Sequence, residues 1–173
     1  MERDWGMESA GPYTDAENRH VATRVVDAID NGSDPAAAQD LLAEDVHVHQ
    51  PGRGVDEVGR EAAVDCWNRW HAGLPDYRED VDRVVLEGDT VVVFTTCRGT
   101  HRGELEDVSP TGHAVEVPRV HRFRVDDGHV VEWWTLTDRA AVAEQLGATP
   151  DSLGGLARVC RSVLKRVVGR YRP

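Results

Sequence analysis

The spacing of apolar positions changes once along this chain and divides it. Up to residue 75 they mostly recur at helical intervals; from Tyr77 onward they alternate. Thr14 and Glu17 have the S/T-x-x-E form of a capping box, and Val21, Val25, Val26 and Ile29 follow on one helical face before Asn31-Gly32 stops it. Asp34-Pro35 predicts a short second helix over 35–43. Asp45-Val-His-Val-His49 reads as a short strand closed by Gln50-Pro51-Gly52. A helix over 56–72 then gathers Val64, Trp67, Trp70 and His71 towards one side, ending at Gly73-Leu74-Pro75. Strands are predicted over 77–87, 90–102, 113–125 and 129–137. The turns between them are Glu87-Gly88-Asp89, Ser109-Pro110-Thr111-Gly112 and the hairpin signal Asp126-Asp127-Gly128. A last core helix over 139–146 stops at Gly147.

Helices followed by an antiparallel meander and one more helix give an α+β fold, in which a curved sheet wrapped over helices encloses a pocket. The pattern predicts one domain over 14–147, a flexible segment over 1–13, and an appended helix within 148–173. In that last segment Leu156, Val159, Cys160, Val163, Leu164, Val167 and Tyr171 keep helical spacing, with cations largely opposite them.

Charge sharpens this division. The chain of 173 residues carries a net −11, but residues 156–173 hold six cations and no acid, so the first 155 residues carry −17. A body of that sign repels phosphate and excludes a nucleic-acid partner. Lys165 is the only lysine beside 19 arginines; this acidic, lysine-poor balance resembles proteins of salt-loving microbes, or reflects a GC-rich coding bias. The basic amphipathic tail either docks on the acidic body or a second subunit, which is the favoured reading, or lies on an anionic membrane surface. Cys66, Cys97 and Cys160 form no C-x-x-C pair and read as reduced, small apolar residues. The N-terminus lacks the basic-then-apolar order of a secretory signal, which makes a cytoplasmic location the expectation.

The runs Gly88-Asp89-Thr-Val, Gly99-Thr-His101-Arg-Gly103-Glu, Ser109-Pro-Thr-Gly112, Arg122-Phe-Arg, Asp127-Gly128-His-Val-Val-Glu132, Trp134 with Asp138, and Gln145-Leu-Gly147 resemble, in order and spacing, the SnoaL-like polyketide cyclase (ester cyclase) family of the nuclear transport factor 2-like superfamily. Ala43-Glu-Asp-Val-His-Val-His49-Gln-Pro and Leu74-Pro-Asp76 fit the same pattern. The resemblance implies a cone with a deep apolar cavity for a small apolar or carbonyl ligand, usually in a homodimer. It also implies a lyase- or isomerase-type reaction without cofactor or metal, in which an aspartate matching Asp138 removes and returns a proton during an aldol ring closure. A non-catalytic binding module is the alternative. One departure stands out: the family often has an apolar, glycine-bearing stretch where Leu105-Glu-Asp-Val108 carries two acids, so the rim there admits a different ligand.

Residues two apart on a strand share a face. If Val130, Glu132, Trp134, Leu136 and Asp138 point inward, the Asp138 carboxylate meets apolar surface, where desolvation suits it to proton transfer near neutral pH. The competing reading is an N-cap of the helix that follows, and both can hold. His47 and His49 flank Val48 as H-x-H, but the next glutamate, Glu57, is too distant for a cupin-type metal site. His49 is expected to make a polar contact in the cavity, or to be a satisfied half-buried histidine. His101 shares a face with Val91, Val93, Thr95 and Cys97. His121 and Arg119 share one with Val115, Val117, Phe123 and Val125. Such groups need partners, from a ligand oxygen or from Asp138 or Glu132, with structural pairing preferred for Arg119. Trp67 and Trp70 are expected in the core or stacked on a planar ligand.

Overall fold

The computed structural model describes residues 14–30 and 38–147. The expected flexible segment 1–13 and basic helix within 148–173 lie outside the described residues. Helix α1 (Asp15–Asp30) opens on the predicted capping box: the Glu17 backbone N–H donates to the Thr14 hydroxyl at 3.3 Å and the Thr14 N–H to the Glu17 carboxylate at 2.7 Å. The helix predicted over 35–43 is described only from residue 38, where one helical turn ends before strand β1 (Leu42–Gln50). The predicted helix start at 56 is corrected. Val55–Val58 is a strand, β2, folded back on β1, and helix α2 (Arg60–Gly73) begins only after Gly59, whose φ of 111° breaks the chain direction.

Strands β3 (Arg78–Glu87), β4 (Thr90–Thr100), β5 (Ala114–Asp126) and β6 (His129–Thr137) form the predicted meander, and helix α3 (Arg139–Gln145) follows. Asp127 and Gly128 turn β5 into β6 with φ of 46° and 73°, the left-handed pair that a two-residue hairpin demands. The sheet order is β2-β1-β6-β5-β4-β3, with β1 parallel to β6 and every other pair antiparallel, so the sheet is mixed and open. Helix α1 lies over β3 and β4, α2 against β1, and α3 against β5. The architecture is the α+β, nuclear transport factor 2-like arrangement. No helix among the described residues is long and apolar enough to cross a membrane.

Alternation along β5 buries Val115, Val117, Arg119, His121, Phe123 and Val125, as its pattern predicts. On β6 the alternation breaks. Val125 pairs with Val130 but Arg124 pairs with Glu132, leaving Val131 as the extra residue of a β-bulge. Past it the inner face belongs to Trp133 and Thr135, both buried, while Leu136 is 51% exposed. A single inserted residue thus reverses the side on which Trp134, Leu136 and Asp138 were expected.

The inner face closes around one carboxylate. Glu79 is fully buried. It accepts hydrogen bonds from Tyr77 Oη (2.5 Å), from Arg119 Nη1 (3.1 Å), from His121 Nε2 (2.5 Å) and from the Thr95 hydroxyl. Arg119 also donates to Thr135 Oγ1 at 3.1 Å and lies 5.0 Å over the Trp70 ring. Trp133 donates its indole N–H to His121 Nδ1 at 2.9 Å, so that nitrogen carries no proton and His121 is neutral, its proton on Nε2. Burial opposes ionisation of Glu79, but Arg119 and the hydrogen bonds outweigh it and hold the carboxyl well below the usual carboxylate range. Burial pulls His121 below 6.5, with Glu79 opposing.

Removing one member strands the rest. Glu79→Gln should lose about 3–5 kcal/mol of unfolding free energy, measured by denaturant titration, because Arg119 is left buried without its counter-charge; a loss below about 1 kcal/mol would contradict the account. Both Glu79 and His121 have folded pKa values below their unfolded ones, so the unfolded chain binds more protons as acidity rises and stability falls with pH. The unfolding midpoint should therefore decline as pH drops below 6.5, from His121, and again below 4.5, from Glu79. A midpoint flat from pH 8 to 4 would contradict this.

Candidate functional site

The loop between β4 and β5 carries the least relaxed backbone among the described residues. Leu105 and Val108 exchange both backbone hydrogen bonds, at 3.1 and 2.9 Å, and the two residues between them, Glu106 and Asp107, have φ of 53° and 62°. This is a two-residue turn of the kind that favours Asn-Gly. Holding side-chain-bearing residues in the left-handed region costs on the order of 1–2 kcal/mol each. The surroundings hold it there. Leu105 and Val108 are buried, and the N–H groups of Arg102 and Gly103 both donate to the Gly73 carbonyl at 3.0 Å. Gly103 passes so close to α2 that a Cβ would lie 1.8 Å from the Ala72 carbonyl oxygen. His101, fully buried, accepts the Thr111 N–H on Nδ1 at 3.2 Å and closes the base of the loop.

The result is that Glu106 turns inward, its carboxylate bridging Arg53, from the β1–β2 turn, and Arg139, the first residue of α3. The stem of Arg139 runs across Gly52, where a Cβ would come within 3.2 Å of its Cδ. Beneath these three lies a narrow pocket of about 30 Å³, completed by Gln50, Trp70, Arg119, Thr135 and Thr137. That volume admits about one water or one small polar head group. The Nε–H groups of Arg53, Arg119 and Arg139 are each buried without a hydrogen-bond partner. Leaving such a donor unpaired costs roughly 1–3 kcal/mol.

The placement of the sequence-predicted residues divides them. Asp138 is corrected: it is exposed, and its Oδ1 accepts the Ala141 N–H at 3.0 Å as the N-cap of α3, because the β6 bulge turns its face outward. Of its two expected readings His49 takes the satisfied, half-buried one, and the cavity contact is corrected. Val46, Val48 and Gln50 take the inner face of β1, and His49 stacks on Trp134 outside, ring centroids 4.3 Å apart, with Nδ1 3.0 Å from Asp56. Trp134, also outside, donates to Glu132 and carries Arg122 at 4.9 Å over its ring. His121 is sealed in the Glu79 cluster, and His101 braces the loop. Trp67 packs in the core 5.9 Å from Trp133. Of the predicted set, only Arg119 and Trp70 reach the pocket. Sequence reasoning missed Arg53, Glu106 and Arg139 as pocket residues; the acidic departure at Glu106-Asp107 was the one signal for them. His47 is exposed, and no group of three or more possible metal ligands occurs among the described residues.

Comparison with known proteins gives the family. A candidate SnoaL-like polyketide cyclase from Jannaschia sp. CCS1 is similar at 25% identity over 86% of this chain and all of its own, with a TM-score of 0.70. IdmH, a candidate polyketide cyclase from Streptomyces antibioticus, is 31% identical over 75% of this chain and 98% of its own, with a TM-score of 0.67. AclR, a candidate hydroxylase from Streptomyces galilaeus, is 26% identical over 79% of this chain and 89% of its own, with a TM-score of 0.69. No curated protein matches the chain. The family model for SnoaL-like polyketide cyclase matches residues 19–146, and the chain belongs to that family.

Proposed function

We propose that this protein is a cofactor-independent enzyme of the polyketide-cyclase type, acting on a small carbonyl compound at the arginine-lined pocket. Glu106, rather than Asp138, is the carboxylate that handles the proton. The carrying observation is the position of Glu106 on a strained turn, beside three arginines that each keep an unpartnered Nε–H. Strain of this kind is retained where surrounding structure over-determines it, and it gathers at working sites. In an aldol ring closure Glu106 would take a proton from the carbon next to a carbonyl, leaving an enolate. That carbon would attack a second carbonyl of the same molecule, and the resulting alkoxide would take the proton back. Negative charge sits on oxygen at both stages, and guanidinium groups fixed before reaction stabilise it there. Ligand binding without turnover is the second reading, favoured by a pocket volume that takes one polar end of a ligand rather than a ring system.

The test is a panel of β-keto esters and aromatic polycarbonyl compounds, with conversion followed by chromatography. Glu106→Gln should lower kcat for any converted compound by about 100-fold or more. Asp138→Asn, which keeps a good N-cap, should leave kcat essentially unchanged. Loss of turnover in a folded Asp138→Asn protein, or full rate in Glu106→Gln, would overturn the assignment. Retention of a panel compound without conversion would favour the binding reading.

The expected homodimer is proposed through the outer face of the sheet. Phe94, Val120 and Leu136 pair directly across β4, β5 and β6, and Phe94 and Leu136 are 40% and 51% exposed. An apolar row of this kind, beside Arg122, Arg124 and Glu132 on the same face, is self-complementary under a two-fold axis. Sedimentation should show a dimer that Leu136→Asp converts to a folded monomer; a wild-type monomer would contradict it.

A further inference from the structure

The pocket and the body around it differ in the sign of their charge. The first 155 residues hold 31 acids against 14 cations, yet three of those cations meet at one small space. Glu79 neutralises Arg119, and one carboxylate, Glu106, is shared by Arg53 and Arg139, so the direct ion pairs at the pocket leave one more cation than carboxylate. Burial, with repulsion from Arg53 and Arg69, pulls Arg139 below the usual arginine value, and Glu106 and Asp107 oppose the shift. Arg119 cannot turn to water to satisfy its Nε–H, because its side chain is only 2% exposed and is held by Glu79, Tyr77 and Thr135.

We infer that this pocket receives a planar oxyanion, the paired oxygens of a carboxylate or of an enolised 1,3-dicarbonyl, borne at one end of a flat apolar molecule. The inference rests on the reading above that the pocket is the ligand site, and it names the ligand's chemistry. Planar guanidinium groups match a planar oxygen pair in a way they do not match a neutral amide. The pocket volume suits the oxygen pair alone, and the buried Trp70 ring that lines it, with Arg119 over one face, gives the pocket an apolar wall. Glu106 already displays the chemistry, since its own carboxylate lies between two of the arginines.

The experiment titrates the full-length protein with benzoate, 1,3-cyclohexanedione, benzamide and inorganic phosphate, following tryptophan fluorescence, to which Trp70 contributes. Benzoate or the ionised dione should bind at least about tenfold more tightly than benzamide, and Arg53→Gln and Arg139→Gln should each weaken that binding by at least about tenfold without lowering Tm. Benzoate alone binding identifies a carboxylate ligand, the dione alone an enolate, and both support the class. The inference is overturned if neither anion binds, if benzamide or phosphate binds as tightly as benzoate, or if both arginine variants bind like wild type. Oxyanion binding with no turnover in the carbonyl panel would sink the catalytic reading only. Turnover of a neutral compound with no oxyanion binding would sink this one only.

Discussion

Burying one carboxylate on the apolar inner face of the sheet obliges everything near it. Glu79 can stay ionised there only because Tyr77, just ahead of its own strand, and two further strands send polar groups to it. Thr95 comes from β4, Arg119 and His121 from β5, and Trp133 and Thr135 of β6 secure the last two in turn. Each partner has this geometry in one strand register alone. A slip of one residue would replace Arg119 with Pro118 or Val120 and leave the carboxylate without its counter-charge. The energetic contribution of such a cluster relative to an apolar core is modest, but its cost when broken is large. It acts as a lock on register more than as a source of stability.

The lock has a second face. Holding Arg119 from below with Glu79, Tyr77 and Thr135 fixes its guanidinium against Trp70 at the pocket wall. From the other side the Leu105–Val108 turn brings in Glu106, at a backbone cost that packing of Leu105, Val108 and His101 offsets. Both arrangements place charge where water has little access, so electrostatic interactions with a ligand oxygen would be stronger there than at the surface. The core network and the proposed chemistry therefore meet in one side chain, Arg119.

The meander and the inner face of β5 were legible because alternation over thirteen residues is a strong signal, and Arg119 and His121 stood out as polar groups on an apolar face. Glu79 was not legible. It sits in the run Arg78-Glu-Asp80, where alternating burial is hidden among charges, and nothing local distinguishes it from Asp80. The Val131 bulge was equally silent, since an extra β-branched residue in a β-branched strand leaves no mark in the pattern; it carried Trp134 and Asp138 to the outer side. Asp138 as a cap was readable from its place before the helix. The acids at Glu106-Asp107 were visible as a departure, but a left-handed turn without glycine was not, because it is tertiary packing that imposes it.

The central claim is that Arg119, at the pocket wall, is immobilised by the buried carboxylate and keeps a sheltered, unpartnered Nε–H. Hydrogen exchange of arginine Nε–H groups, followed by NMR in the ligand-free protein, reads this directly. The account predicts slow exchange at Arg119, slower than at Arg53 and Arg139 and far slower than at surface arginines such as Arg122 and Arg124. Exchange at Arg119 as fast as at those surface groups would contradict it.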